Sequence, residues 1–331
     1  MLRASSLLLL LFLLTPARAQ ETMIVVQKRA DSVGFYDTAT GRPLATVPVG
    51  ARPHEIAMSG NGRLAYVTNY GVDSYTAQEA GGNTISIIDP VRQERTGEIE
   101  LGDFHRPHGI TRGRSGMLYV TTDRPAALLV IDPAKRRIVK HYATGSELPH
   151  MVVVTADETK AYTADAGSAS VTVISLREGK VSKHISIGGI PMGPALSPDG
   201  RRLFVANRNG NAVVVIDTRT DEIISRIEVA GSPARAKFTP DGKHLLISLM
   251  ESGEVAVLDP AALKELHRFR VGEHPEGMNI DPSGRQVYVS AQGEDKVVRF
   301  SLADWKPNLE IKTGARPDPM VIFSRRTKSK P

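Results

Sequence analysis

The sequence has no cysteine among its 331 residues. This absence excludes a disulfide-stabilised scaffold, a zinc site with thiolate ligands and a cysteine nucleophile. The chain also lacks a Walker phosphate loop, a G-x-G-x-x-G turn, a G-x-S-x-G nucleophile elbow and an H-E-x-x-H zinc motif. No segment after residue 19 is apolar enough to cross a membrane as a helix, so we expect no membrane span. The remaining composition, 41% hydrophobic and 24% charged, is typical of a folded globular protein.

Residues 1–19 have the pattern of a secretory signal peptide. Arg3 supplies an early positive charge, and the apolar run 7–14 is too short to span a bilayer. Ala17-Arg18-Ala19 matches the small-x-small pattern of a signal-peptidase site. We therefore expect cleavage before Gln20 and a periplasmic or secreted protein, with an N-terminal membrane anchor as the alternative.

The basic net charge of +6 would suit a nucleic-acid partner if it were spread over the folded body. It falls to +4 when Arg3 and Arg18 are removed with the signal peptide, and four further basic residues lie in the tail 325–331. We expect this tail to be disordered and the body 20–324 to be about neutral. The charge distribution thus disfavours nucleic acid as a partner, and we expect a monomer.

A phrase of Gly, a few residues, Pro and a short apolar strand recurs along the chain. Its prolines are Pro53, Pro107, Pro149, Pro191, Pro233, Pro275 and Pro317. They are 42 residues apart except for the first interval of 54, whose excess is the insertion 71–82. A fixed period of this length marks a repeat architecture. Each unit contains four short β-branched strands separated by turn residues and no helical period, which is typical of one propeller blade.

The seven units predict an all-β, seven-bladed propeller of four-stranded antiparallel blades. Residues 23–49 supply a second, third and fourth strand but no first strand, whereas the chain ends on an isolated first strand, 317–323. We expect three N-terminal strands and this C-terminal strand to form the seventh blade together. Such closure protects the edges that an open array would expose.

The phrases Tyr66-Val67-Thr68-Asn69, Tyr119-Val120-Thr121-Thr122 and Ser197-Pro198-Asp199-Gly200 resemble the YVTN family of seven-bladed β-propellers. The resemblance covers residues 23–323 and implies the same fold. It does not select an activity, because similar propellers include binding and surface proteins, nucleic-acid binders, lactonases, cycloisomerases and lyases.

Equivalent positions of successive blades form rings around the central funnel. The residues after the seven prolines are His54, His108, His150, Met192, Ala234, Glu276 and Asp318. Imidazoles and carboxylates are ligands of zinc, and imidazoles with a thioether nearby also suit copper. The ring predicts a metal site of His54, His108, His150, Glu276 and Asp318, and a hydrated polar channel wall is the alternative.

A second ring stands directly before the prolines and contains Arg52, Arg106, His274 and Arg316, with Arg235 close to it on the opposite wall. Guanidinium groups pair with two oxygens of a carboxylate or phosphate at once. These residues are candidates for binding a small anion. They could equally pair with Glu55, Glu273, Glu276 and Asp318 to hold the rim together.

The leading hypothesis is an exported propeller that binds a small anionic molecule in its funnel, with a possible divalent metal such as zinc or copper. An enzyme of the lactonase, cycloisomerase or lyase type is the alternative. In that case His54, His108 or His150 would be the general acid or base, and Glu276 would hold a cation or proton. A nucleic-acid or surface-adhesion module is the third hypothesis. The insertion 71–82 would be either a lid or a plain surface loop.

Overall fold

A computed structural model describes residues 21–324, so the predicted signal peptide 1–19 and basic tail 325–331 lie outside the described residues. Twenty-eight strands, β1 to β28, form seven four-stranded antiparallel sheets. The inner strands of these sheets contact one another around a closed ring. The predicted seven-bladed propeller is confirmed.

Six blades are continuous in sequence, and each begins at one of the repeated prolines or two residues before it. Blade 1 holds β4 (Pro53–Met58), β5 (Ala65–Asn69), β6 (Thr84–Asp89) and β7 (Glu94–Glu100). Blade 2 holds β8 (His105–Arg112), β9 (Leu118–Arg124), β10 (Ala126–Asp132) and β11 (Arg137–Ala143). Blade 3 holds β12 (Pro149–Val154), β13 (Lys160–Asp165), β14 (Ser170–Ser175) and β15 (Lys180–Ser186). Blade 4 holds β16 (Pro191–Leu196), β17 (Arg202–Asn207), β18 (Ala212–Asp217) and β19 (Glu222–Glu228). Blade 5 holds β20 (Pro233–Phe238), β21 (Leu245–Leu249), β22 (Glu254–Asp259) and β23 (Lys264–Arg270). Blade 6 holds β24 (Pro275–Ile280), β25 (Gln286–Ala291), a 3₁₀ turn (Gln292–Glu294), β26 (Lys296–Ser301) and β27 (Pro307–Lys312).

Blade 7 joins the two ends of the described chain, as predicted. Its inner strand is β28 (Pro317–Ser324), and it continues outward through β1 (Glu21–Gln27), β2 (Ser32–Asp37) and β3 (Pro43–Pro48). Strands β28 and β1 pair antiparallel from Glu21 opposite Ser324 to Gln27 opposite Pro317. The ring therefore closes through main-chain hydrogen bonds of the first and last strands.

Apolar side chains between neighbouring blades form the core. The second and third strands are buried along nearly their whole length, as in β17 and β18, because adjacent blades cover both faces of each sheet. The outer strands alternate between exposed and more buried positions, as in β19. Phe204 of blade 4 and Ile247 of blade 5 belong to one apolar cluster. Each blade is thus stabilised by its two neighbours.

Neighbouring inner strands approach one another closely two residues after the repeated proline in three of the blades. Glycine occupies this position in blades 2, 4 and 6, as Gly109, Gly193 and Gly277. A Cβ at Gly193 would lie 2.7 Å from the carbonyl oxygen of Ala234 in the next blade. No side chain fits there, which is one of the uses of glycine in tightly packed backbones. The other four blades carry side chains at this level of the channel: Glu55, Met151, Arg235 and Pro319.

Candidate functional site

A cavity of about 390 Å³ lies where the inner strands begin and the second strands end. Residues directly after the prolines line it, including His54, His108, His150 and Glu276. Leu148, Ile190 and Met192 form part of an apolar wall. A concave site with an apolar wall and a few convergent polar groups is the usual form of a small-molecule site.

The three histidines form a stack along one wall of the cavity. The ring centroids of His54 and His108 are 3.8 Å apart, and those of His108 and His150 are 4.0 Å apart. Burial, together with the positive charge of Arg235, lowers the pKa of all three imidazoles, in His150 to about 3, and repulsion by neighbouring imidazoles adds to the effect in His54 and His108. The stack is therefore neutral at pH 7, with lone pairs that can accept a proton donor or a metal.

Tyr70 and Asp123 form a hydrogen-bonded pair beside this stack. The Tyr70 hydroxyl donates to an Asp123 carboxylate oxygen at 2.5 Å, and the Tyr70 ring meets the His54 and His108 rings edge-on. Burial raises the pKa of Asp123 to about 6, against the opposing effect of the Tyr70 hydrogen bond. A carboxyl group with a pKa near neutrality can both take up and release a proton at physiological pH.

Arg235 crosses the channel below the cavity. It donates a hydrogen bond to Glu55, and its guanidinium lies 3.8 Å from Glu276 and 3.7 Å from Asp318. Lys28 pairs with Asp318 at 2.6 Å. We call these five residues the charge hub. It contains two cations and three carboxyl groups, so it carries one negative charge when all five residues are ionised.

The shifted pKa values of the hub carboxyl groups reduce this excess negative charge. Burial raises the pKa of Glu55 to about 7, despite the attraction of Arg235. Burial and repulsion by Glu276 also raise the pKa of Asp318. Burial would raise the pKa of Glu276 too, but Lys28 and Arg235 outweigh it and hold that pKa well below its usual range. The hub is therefore a place where one proton or one added cation relieves carboxylate repulsion.

The predicted metal set is only partly brought together. Among residues 21–324, the three potential ligands whose donor atoms all lie within 4.8 Å of one another are His54, Glu55 and His108. Glu276 and Asp318, which the ring pattern placed in the set, instead belong to the charge hub. Glu276 also accepts a hydrogen bond from Gln292 at 2.6 Å. Glu55 joins the imidazoles because its carboxylate lies in the channel one residue beyond the predicted ring.

The five residues predicted to bind an anion occupy different environments in the structure. Arg52 lines the cavity but pairs with Asp31 at 3.1 Å and Asp73 at 2.7 Å. His274 is exposed and outside the cavity lining. Arg316 lines the cavity and donates a hydrogen bond to the side chain of Gln292. Arg235 lies in the charge hub, so its guanidinium already has protein carboxylates as partners.

Arg106 is fully buried and binds the insertion rather than the cavity. Its guanidinium donates to the carbonyl oxygens of Tyr75, Ala77, Glu79 and Ala80, at 2.6 to 3.3 Å. These bonds occupy the donors that a ligand would need, and Arg106 is not among the residues that line the cavity. Residues 72–75 of the insertion that Arg106 binds line the cavity, so the insertion covers part of the site.

Arg208 and Arg316 are the cavity arginines without an acidic partner. Within the described part of the chain, neither guanidinium has a carboxylate oxygen within 4.0 Å, whereas Arg29 and Arg52 both have one. The neighbours of Arg208 and Arg316 are the Met250 sulfur and the Gln292 side-chain oxygen, respectively. Two partly buried cations thus face the cavity with donors available.

The prediction missed a third ring at the end of the second strand of each blade, formed by the residue that follows this strand in six blades and by the penultimate residue of β9 in blade 2. Its members are Lys28, Tyr70, Asp123, Ala166, Arg208, Met250 and Gln292. All of them except Gln292 line the cavity. The pattern was present in the sequence, since these residues stand at the ends of the second strands, and the second strand of blade 1 carries the Tyr-Val-Thr-Asn phrase. The prediction compared only the positions around the prolines, so it did not include this third ring.

In residues 21–324 no helix has the length and hydropathy that a membrane crossing requires.

Comparison of the structure with solved structures finds several propellers of the same shape. One is a chain of Kuenenia stuttgartiensis hydrazine synthase, with a TM-score of 0.74 and 21% identity over 85% of this chain and 92% of that one. The periplasmic gluconolactonase PpgL of Pseudomonas aeruginosa has a TM-score of 0.72 and 17% identity, covering 92% and 99%. The dihydro-heme d1 dehydrogenase NirN, in complex with DHE, has a TM-score of 0.69 and 15% identity, covering 93% and 76%. At these identities the likeness extends to the fold alone.

The sequence matches no curated protein. The family model of the YNCE-like beta-propellers matches residues 12–285, most of the chain. The repeat, the closed ring of seven blades and this match agree, and the chain belongs to the YNCE-like β-propeller family.

Proposed function

We propose that the protein binds a small organic anion in the cavity at the mouth of its channel. The observation that carries this proposal is the pair of cavity-lining arginines, Arg208 and Arg316, that have no carboxylate within 4.0 Å in the described structure. A partly buried guanidinium with no ion-pair contact is a favourable site for a ligand carboxylate, because both oxygens can be bound at once. Glu276 attracts Arg208 only from beyond 4.0 Å, so the Arg208 donors are not taken by that carboxylate.

The size and lining of the cavity suit a small molecule. Its volume of about 390 Å³ lies in the lower part of the range of ligand sites. Leu148, Ile190, Met192 and Met250 supply an apolar surface opposite the polar residues. A ligand with one carboxylate and a short carbon skeleton would meet both kinds of surface.

Isothermal titration calorimetry with acetate, succinate, gluconate and inorganic phosphate tests the proposal. We expect at least one of these anions to bind to the wild type. Its affinity should be at least about tenfold lower in Arg208→Gln and in Arg316→Gln than in the wild type. Arg177→Gln is the matched control, because Arg177 is exposed and lies outside the cavity. Absence of binding by all four anions, or equal affinity in all variants, would overturn the proposal.

A lactone hydrolase is the second candidate function, favoured by the Tyr70–Asp123 pair. Asp123, with its pKa raised to about 6, would take a proton from a water molecule as that water attacks the lactone carbonyl carbon. The ring C–O bond breaks, the proton passes to the departing alkoxide oxygen, and the product is a hydroxy acid. The low pKa of the three cavity imidazoles makes them weaker bases than Asp123 at neutral pH. One neighbour of the same fold is a periplasmic gluconolactonase.

A pH-stat assay with glucono-δ-lactone tests this candidate. We expect turnover above the spontaneous rate that falls by 10²-fold or more in Asp123→Asn, roughly the contribution of a general base. Asp199→Asn, in an exposed turn, is the control. If wild type and Asp123→Asn hydrolyse the lactone equally, Asp123 is not the base.

We also propose that the protein is exported. The signal-peptide pattern of residues 1–19 supports this, and so does the fold that the chain shares with the periplasmic gluconolactonase. Mass spectrometry of the protein from a bacterial periplasmic fraction should find an N-terminus at Gln20. A full-length protein retained in the cytoplasm would contradict the proposal.

A further inference from the structure

The cavity imidazoles present buried ring nitrogens without protein partners. The Nδ1 atoms of His54, His108 and His150 are all shielded from solvent, and none has a hydrogen-bond partner in the described structure. His108 itself is only 5% exposed. A buried polar atom without a partner destabilises the fold, so an unpaired nitrogen in a native site calls for an explanation such as an ion.

A carboxylate lies next to two of these imidazoles. The donor atoms of His54, Glu55 and His108 all lie within 4.8 Å of one another, and the His54 Nδ1 is 3.9 Å from a Glu55 carboxylate oxygen. In a tetrahedral site, two ligand atoms that are each about 2.1 Å from zinc are about 3.4 Å apart. A pair 4.8 Å apart would therefore need to close by about 1.4 Å, through rotation of the side chains, to bind one ion.

The surroundings of Glu55 suit a metal-binding carboxylate. Arg235 donates a hydrogen bond to Glu55, and ligating carboxylates are commonly held by such an outer partner. The charge hub of Lys28, Arg235, Glu55, Glu276 and Asp318 carries one negative charge when ionised, so a divalent cation placed beside it compensates that charge. His54 and His108 also line the cavity, so an ion bound to them would be reached from it.

We propose that His54, Glu55 and His108 bind a divalent first-row transition metal ion, with zinc as the best match to two imidazoles and one glutamate. This set differs from the one predicted from the post-proline ring, because Glu55 replaces Glu276 and Asp318, and His150 is not required. The metal site does not depend on the anion proposal, since its three ligands are all protein side chains.

The experiment uses tag-free protein, freed of metal with EDTA and then titrated with Zn²⁺ by calorimetry and with Co²⁺ by visible absorption. We expect one equivalent of metal to bind, with Co²⁺ giving the d–d bands of a nitrogen and oxygen site. Affinity should fall by about 100-fold or more in Glu55→Gln and His54→Ala, because even an outer-shell loss costs 10–100-fold. His150→Ala should keep its affinity within about tenfold.

His141→Ala is the matched control, since His141 is exposed on the outer strand of blade 2 and any loss there would indicate non-specific surface binding. Circular dichroism of each variant checks folding. Glu55→Gln keeps the shape and the Arg235 hydrogen bond, so it serves as the test should His54→Ala fail to fold.

Absence of stoichiometric metal in wild type, or equal affinity in wild type and Glu55→Gln, would overturn the site. An equal loss in His150→Ala would overturn the three-residue ligand set. Metal binding without anion binding, or the reverse, separates this proposal from the preceding one.

Discussion

Replacement of Arg235 by methionine should expose how strongly the propeller depends on the charge hub. The side chain is buried and lies within 4.0 Å of three carboxyl groups, those of Glu55, Glu276 and Asp318. Methionine is similarly long and apolar, so Arg235→Met removes the charge without a large cavity. The three carboxyl groups then share only Lys28.

The expected loss follows from the cost of an uncompensated buried charge. Removing one partner of a buried ion pair typically destabilises a protein by about 3–5 kcal/mol. We expect a loss of about 4 kcal/mol in the free energy of unfolding at pH 8, in that range. At pH 5 the loss should be less than half as large, because protonation neutralises the excess carboxylates.

The sign of this pH dependence comes from the carboxyl pKa values. Burial already raises the pKa of Glu55 to about 7 and that of Asp318 above its usual value in the folded protein. An acid with a raised folded-state pKa stabilises the fold fully only below its unfolded pKa, and this contribution is lost as the pH rises through the folded pKa. Removing Arg235 raises these pKa values further, so the variant loses additional stability as the pH increases from 5 to 8.

Urea unfolding in the presence of EDTA, followed by circular dichroism at pH 5 and pH 8, measures both quantities. Arg177→Met, an exposed arginine, is the control and should change stability by less than about 0.5 kcal/mol. Arg235→Met/Glu55→Gln should recover at least about 1 kcal/mol at pH 8, since it removes one unpaired carboxylate. A loss below about 1 kcal/mol at pH 8, or an equal loss at the two pH values, would refute the reasoning.

Three further predictions concern the loop, the proton-binding pair and the channel. Arg106→Ala should cost about 2–4 kcal/mol and make the insertion 71–82 sensitive to limited proteolysis, because the guanidinium bonds to four of its carbonyl groups. Unchanged cleavage of the insertion would show that the Arg106 hydrogen bonds do not hold it in place. Asp123→Asn should stabilise the protein at pH 7 by up to about 3 kcal/mol, the equivalent of a shift from 3.8 to about 6, with the gain disappearing below about pH 4 in thermal melts. A gain that persists at pH 3 would exclude Asp123 titration as its cause. Gly193→Ala should lower stability by about 1–3 kcal/mol in urea unfolding, because its Cβ would lie 2.7 Å from the Ala234 carbonyl oxygen. A neutral result would show that the inner strands can move apart at no cost.

The fold was accessible from sequence because each blade repeats the same local instructions. The prolines, the turn residues and the β-branched strands recur at a constant interval, so the blade count and the closure of blade 7 follow from the positions of Pro53 to Pro317. Neither conclusion requires any knowledge of side-chain contacts.

The site was accessible only in outline. Position in the repeat correctly placed His54, His108 and His150 side by side, because equivalent residues of neighbouring blades are adjacent. It could not show that Arg235 reaches Glu55 across the channel, since that contact depends on channel width and on the glycines that leave the space open. For the same reason, the side chain of Arg106 could not be assigned to the insertion before the path of that loop was known.

The closure of blade 7 sets the order in which the site can be assembled. Lys28 and Asp318 form their ion pair in the charge hub from positions 290 residues apart, and Asp318 lies on the last strand of the ring. During synthesis β1 to β3 are made first, whereas β28, the strand that pairs with β1, is made last. Blade 7 therefore cannot be completed until almost the entire chain has been synthesised. A chain that stops before Pro317 contains six complete blades and three strands of the seventh, but neither a closed ring nor a complete hub. The closed ring and the complete charge hub therefore exist only in chains that have been translated through β28.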